Sequence, residues 1–297
     1  MGKIDDKTDD FFDNAYHFAD MWNAFMFNGK QVIKPEDLAE SDRIITVKEK
    51  RNTVRLISDK TRLWQGKHLR LLILENQSHV DYHMVIRNML MEGAAYNKQW
   101  KMLKSEHKQS NDLHDDEYLS GISKNDKFIP VITLVINFSS KKWDAACCLY
   151  DIIDIDNDDI LKKYITNYKL NLFDYHDYDN FDIFKTELKN IFEVARYADD
   201  MLALGQCLNS DSSYRSLSQE TIEIINDINK IKVEVIGGHG DMCKAFEDYK
   251  QLGKVEGFNE GKRTVLVAMV KDGDITIEKA AMRLNISEEE FKALLSE

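Results

Sequence analysis

The stretch Leu69-Arg70-Leu71-Leu72-Ile73-Leu74-Glu75-Asn76-Gln77 decides the fold. With Val54–Leu63 ahead of it and Gln65-Gly66-Lys67 between, it reads as the second arm of a β-hairpin, His68–Glu75, in which Gly66 takes the turn. Residues two apart share a face of a strand. Leu69, Leu71, Ile73, Glu75 and Gln77 therefore line one face, and Arg70, Leu72, Leu74 and Asn76 the other. Apolar residues on both faces mark a central strand that is covered on each side. A turn centred on Gly66 sets Asp59 opposite Ile73 and diagonal to Glu75, roughly 7–8 Å away. A two-residue shift would put Asp59 directly opposite Glu75, and a one-residue shift would send the two carboxylates to opposite faces.

Two ionised carboxylates this close repel each other, and without a cation one tends to keep its proton. A hard divalent ion relieves the repulsion. Magnesium favours one or two carboxylates together with waters and substrate phosphate oxygens. The plainer alternative is that Glu75 ends the strand and pairs with a surface Lys or Arg.

Charge is distributed in a way that bears on this choice. The 297-residue chain carries a net charge of −12, which argues against a nucleic-acid partner. Yet Ile45–Ser110 holds thirteen Lys/Arg against six Asp/Glu, a local +7 that leaves −19 for the rest. A positive field around Asp59, Glu75 and Gln77 is the footprint expected for phosphate, although a solvated charge-rich surface would look the same. Lys60, Arg62, Arg87 and a stripe of Lys98, Lys101, Lys104 and Lys108 are the candidate phosphate contacts.

The remaining composition is that of a protein with a substantial core, 43% hydrophobic, with no run near the ~18 apolar residues of a membrane span. The acidic start, Met1-Gly2-Lys3-Ile4-Asp5-Asp6, does not resemble a secretion signal. The four cysteines have no paired metal spacing, and a reducing cytoplasm is the expected setting. Cys147-Cys148 reads as buried thiol within a helix over 143–153.

Helices are expected over 10–28, 81–108, 181–207 and 218–230, and strands over 44–47, 128–138 and 168–173. The segment 111–127 reads as a loop. His79 and His83, four apart at the start of the long helix, suit a zinc pair in spacing but lack a third ligand, and are read as structural or phosphate-contacting. Gly253, Gly257 and Gly261 fall at every fourth residue of a charged helical stretch, each weakening a helix by ~1 kcal/mol. Two short helices follow over 274–297, the second opened by the capping-box pattern Ser287-Glu288-Glu289-Glu290. Three glutamates at a helix start repel DNA, so this end reads as an oligomerisation or docking element.

With these residues in view the chain resembles the recombination-promoting nuclease/putative transposase family, within the PD-(D/E)XK nuclease superfamily. The carrying segments are Phe18-Ala19-Asp20 with Asn23, Gln31–Leu38, Asp59, Ile73–Asp81 with Met84 and Arg87, Tyr96, Tyr118–Ile122, Ile129–Ile136, Trp143-Asp144 and Met242–Ala245. Departures are Ser58 where arginine is common, Val85 where proline is usual, and Met91-Glu92 in place of Tyr-Asp. The resemblance implies a restriction-endonuclease-like α/β fold, with a mixed central sheet flanked by helices and a mostly helical C-terminal part. The parts expected are a nuclease-like core over 1–175, a helical extension over 176–252 and a docking or pairing segment over 253–297.

It also implies the chemistry: a magnesium-dependent DNA endonuclease, with manganese as a substitute, associated with recombination or mobile DNA. Asp59, Glu75 and Gln77 are the implied catalytic residues, and Asp59, Glu75 and the Asn76 backbone carbonyl the implied metal ligands. Superfamily members often add an acid from the first helix. Asp20 is the candidate and Asp13 the alternative, though either reads equally as an exposed helix charge. The rival function is a catalytically silent DNA- or protein-binding descendant of the same scaffold.

Overall fold

Asn14 interrupts the N-terminal apolar run and divides the helix expected over 10–28. In the computed structural model, which describes residues 3–41, 44–49, 52–66, 69–155 and 159–296, α1 covers Lys3–Phe11 and α2 covers Ala15–Phe27. The Asn14 side chain accepts from the Tyr16 N–H at 2.9 Å and caps α2. Helix α2 ends at Asn28 (φ 51°) and Gly29 (φ 80°), both in the left-handed region. A Cβ on Gly29 would lie 2.5 Å from the Ile183 carbonyl oxygen, so the close passage of the chain at 183 needs glycine there.

The strand expected over Val54–Leu63 is two strands. After β1 (Leu38–Glu40), β2 (Ile44–Glu49) and β3 (Asn52–Ile57) form an antiparallel two-stranded ribbon. A break at Ser58-Asp59 then starts β4 (Lys60–Gln65), which pairs with β5 (Leu69–Gln77). The register runs from Gln65 opposite Leu69 to Lys60 opposite Leu74, so Thr61, not Asp59, faces Ile73. This is the two-residue shift: the ladder closes at Gln65, and the turn does not pivot on Gly66. Lys67 and His68 lie outside the described residues.

Helix α3 (Met84–Ser110) carries the chain over the sheet to β6 (Val131–Asn137), parallel to β5, and β7 (Asn171–Asp174) adds in parallel beyond it. The five-stranded mixed sheet has the order β1-β4-β5-β6-β7. A short helix, α4 (Asp115–Ser120), lies within the segment expected as loop. On one face of the sheet Ile73 and Val131 pack with Met91, Ala94 and Ala95 of α3, and Val135 packs with Met84 and Trp143. On the other, Leu72, Leu74, Leu134 and Ile136 join Phe18 and Trp22 of α2. Strand β5 is thus covered on both sides, as its unbroken apolar run requires.

The same large core continues through α5 (Leu188–Arg196), α6 (Met201–Ser210) and α7 (Gln219–Ile228) as far as Phe246. The helix expected over 181–207 is therefore two, because Asp200 accepts from the N–H groups of Leu202 and Ala203 and restarts the helix as a cap. The helix expected over 143–153 reduces to a single turn at Leu149–Asp151. The Asp151 carboxylate takes the N–H groups of Cys147 and Cys148, and Cys148 bridges to Lys169 in extended backbone. Cys147 is accordingly exposed and Cys148 half-buried, not buried in a helix.

Three two-residue strands, β8 (Leu217–Ser218), β9 (Val235–Ile236) and β10 (His239–Gly240), form a small sheet beside α7. Helix α8 (Met242–Lys271) then runs unbroken through all three glycines. It leads into α9 (Ile277–Leu284) and α10 (Glu288–Ser296), which close a second core around Leu266, Ala280, Ala281 and Phe291. The capping box forms as expected: Ser287 N–H donates to Glu290 Oε2 at 2.7 Å, and Glu290 N–H to Ser287 Oγ at 3.2 Å. Among the described residues no helix is long and apolar enough to cross a membrane.

Candidate functional site

Strand β5 is apolar until it leaves the core, and its last three residues are polar but remain buried: Glu75 at 0%, Asn76 at 3% and Gln77 at 4% exposure. One step beyond the last β4–β5 pair, Asp59 falls beside Glu75. It is itself only 4% exposed. Its Oδ2 accepts from the Asn76 N–H at 2.7 Å, which ties the break between β3 and β4 to the end of β5. Burial, and next the Asp59 charge, hold the Glu75 carboxyl well above the usual carboxylate range, against the opposing pull of Arg87. The two acids expected to converge do so.

Arg87, expected on substrate phosphate, instead reaches back from the first turn of α3. Its guanidinium donates to Glu75 Oε2 at 2.8 Å and to Asp81 Oδ2 at 3.4 Å. The other Glu75 oxygen, Oε1, is buried and, among the described residues, has no hydrogen-bond partner of good geometry, although the Asp59 backbone N–H also bears on the carboxylate and opposes the rise of its pKa. Gln77 shares the Glu75 face and ends the parallel ladder opposite Asn137.

Lys60 and Arg62 alternate to the opposite face of the sheet, where α1 and α2 pack. Lys60, 3% exposed, pairs with the Asp13 carboxylate, and burial pushes its ammonium pKa down. Arg62 donates to the Asp13 carbonyl at 2.5 Å and lies 5.6 Å from the Phe18 ring. Neither presents an open cation to phosphate. A buried ammonium needs a counter-charge, and Asp13 at the end of α1 supplies it.

Asp20 belongs elsewhere. It is 1% exposed, and its carboxylate accepts from the Lys185 N–H, the Thr186 N–H and the Thr186 hydroxyl at 2.7–3.0 Å. It is neither an exposed helix charge nor directed to Glu75; it fastens the segment ahead of α5 onto α2. Asn23, one turn on, does the same for the chain after α2: Oδ1 accepts from Val32 and Ile33 N–H, and Nδ2 donates to the Ile33 carbonyl at 2.8 Å.

The first-helix acid beside the site is one that sequence reasoning missed. Asp9 of α1, 8% exposed, accepts from Asn76 Nδ2 at 3.0 Å, and its charge also raises Glu75. The signal was present in the acidic run Asp5–Asp10 leading into Phe11-Phe12, but that run reads as a polar tail unless α1 is recognised as a separate helix.

Among the described residues no three His, Cys, Asp or Glu side chains form a ready metal-binding group. Magnesium asks for less, and Asp59 with the partnerless Glu75 Oε1 is an oxygen-only donor set that fits it. His79 and His83 are exposed and precede α3, so they do not share a helix face. Of the lysine stripe, Lys101, Lys104 and Lys108 are exposed and Lys98 is half-buried. The Lys104 ammonium lies 5.2 Å from the Trp100 ring. No family model matches the chain, and no curated protein or solved structure matches it either.

Proposed function

We propose that the chain is a magnesium-dependent DNA endonuclease of restriction-endonuclease-like fold. The observation that carries the reading is the meeting of Asp59 and Glu75 at the buried end of the central strand, with an unpartnered Glu75 oxygen. The order of elements supports it: helices, three antiparallel strands β1, β4 and β5 with the β2–β3 ribbon inserted after the first, the α3 crossover and a parallel β6.

Asp59, Glu75 and the Asn76 carbonyl would hold the ion. When bound, it supplies a lowered water pKa and neutralises charge on the departing oxygen. Burial keeps Glu75 protonated further up the pH scale than a free carboxyl, so taking up the ion means giving up that proton. Arg87 screens Glu75 on one side and fixes its rotamer. Gln77, neutral at all pH values, can orient an attacking water but cannot act as a strong base. Lys101 and Lys108 on the exposed side of α3 supply sequence-independent, salt-sensitive contact with the phosphate backbone.

One observation favours the rival reading, a silent binding module. Arg87 and the Asn76 N–H already satisfy one oxygen of each acid, as in a purely structural cluster. Nicking of supercoiled plasmid at low salt, with magnesium or manganese, separates the two. The nuclease reading requires cutting that is lost in Asp59→Asn and Glu75→Gln while DNA affinity persists. Absence of cutting by the folded wild-type chain with either metal would refute it.

A further inference from the structure

Sixteen consecutive residues of α8, Glu247 to Lys262, are exposed on every side of the helix. A helix open all round lacks the tertiary packing that normally stabilises one. This one contains Gly253, Gly257 and Gly261, each with open space where a Cβ would be. It nevertheless presents large apolar side chains: Leu252 is 56%, Val255 56% and Phe258 73% exposed. At about 100° per residue, Leu252 and Phe258 lie about 60° to either side of Val255, so the three form one face. Asp248, Leu252, Val255, Asn259 and Lys262 follow steps of four and three, the seam spacing of paired helices. The glycines lie on the far side.

The charges on that face identify its occupant. Glu247 and Asp248 lie at its N-terminal end, and Lys262 and Arg263 at its C-terminal end. Turned end for end about Val255, a second copy places its basic end against the acidic end of the first, at both ends. Asp248 and Lys262 each lie within about 20° of the Val255 seam and so face each other directly, whereas Lys250, Lys254, Glu256 and Glu260 lie about 100–140° away from it and stay outside the pairing. A parallel pair would stack Asp248 on Asp248 and Lys262 on Lys262. Within one chain Lys250 lies 3.6 Å from Glu247 and Arg263 3.9 Å from Glu260, exposed contacts that hold little, and the Lys262 ammonium donates to the Arg283 carbonyl at 2.5 Å at the edge of the face.

We propose that α8 is a homodimerisation helix, pairing antiparallel with α8 of a second copy about a two-fold axis at Val255. The interface is isologous and closed, so it produces dimers and not filaments. It stands independently of the nuclease reading.

Light scattering and sedimentation of the full chain test it, with circular dichroism as the folding control. The wild type should run as a dimer at micromolar concentration. Val255→Lys, an exposed position whose change leaves the fold intact, should weaken association at least about 100-fold and give monomers. Lys262→Glu with Arg263→Glu should also dissociate the dimer, and adding Glu247→Lys with Asp248→Lys should restore it. Val255→Cys should form a disulfide between copies under mild oxidation. A monomeric wild type, a dimer that survives Val255→Lys, or failure of the fourfold charge exchange to rescue would each overturn the proposal.

Discussion

Replacing Asp20 by alanine should destabilise the protein by about 3–5 kcal/mol without directly affecting the Asp59–Glu75 site. The magnitude follows from what the carboxylate holds. Three donors, the N–H groups of Lys185 and Thr186 and the Thr186 hydroxyl, converge on it at 2.7–3.0 Å in a setting where Asp20 is 1% exposed. A hydrogen bond to a charged group contributes about 1.5–3 kcal/mol, and leaving a buried donor unsatisfied costs about 1–3 kcal/mol. Three bonds sharing one acceptor group are not additive, which brings the total to that range. Thr186→Val removes only the hydroxyl and should cost about 1–2 kcal/mol. A double-mutant cycle between positions 20 and 186 should then give a coupling near the smaller value. Urea unfolding followed by tryptophan fluorescence reads all three; at a slope of about 2–3 kcal/mol per molar, the Asp20→Ala midpoint should fall by about 1–2.5 M. An Asp20→Ala chain within 1 kcal/mol of wild type that had lost metal-dependent cutting would refute this, and would return Asp20 to the ligand role that its position in the first long helix suggested.

Glu75 sets a pH dependence. Its pKa is raised in the folded chain, first by burial and then by Asp59, so its contribution to stability is fully present below the unfolded value near 4.5 and lost as pH rises through the folded value. Each unit of elevation is worth about 1.4 kcal/mol. Glu75→Gln should flatten the fall in urea midpoint above pH 4.5, and identical pH profiles for the two chains would exclude this account. His107 acts over a higher window. It lies between Asp112 at 2.8 Å and Asp126 at 2.9 Å, and those two contacts raise its pKa. Protection of the 112–126 segment in hydrogen exchange should therefore weaken as pH rises from 6.5, and should lose that dependence in His107→Asn. Asn23→Ala, which strands the buried N–H and carbonyl of Ile33 and the part-buried N–H of Val32, should cost about 2–4 kcal/mol in the same urea assay, and a loss under 1 kcal/mol would contradict the clamp.

Which parts of the site were legible depended on distance along the chain. Asp59 and Glu75 were recoverable because a short turn joins their strands, leaving only a few registers to choose among. The structure takes the two-residue shift, the one that brings the acids side by side. Lys60 and Arg62 were misjudged because their counter-charge comes from Asp13, which meets them only once α1 has docked on the sheet. Asp20 and Asn23 have the residue types of a site and turned out to be clamps, because the backbone donors they satisfy belong to segments that nothing in the local pattern identifies.

By itself the sequence determined the covered central strand, the long crossing helix, the capped helices at the C-terminal end and the local concentration of positive charge. Each is written in near-neighbour periodicity, which reports whether a side chain faces a core. Tertiary structure alone decided the β4–β5 register, the pairing of Arg87 with Glu75, the burial of Lys60 and Arg62 and the exposure of residues 247–262 in the middle of α8. A buried charge or amide acquires its role from the group brought against it, and such partners come from other elements, about ten to more than a hundred residues away.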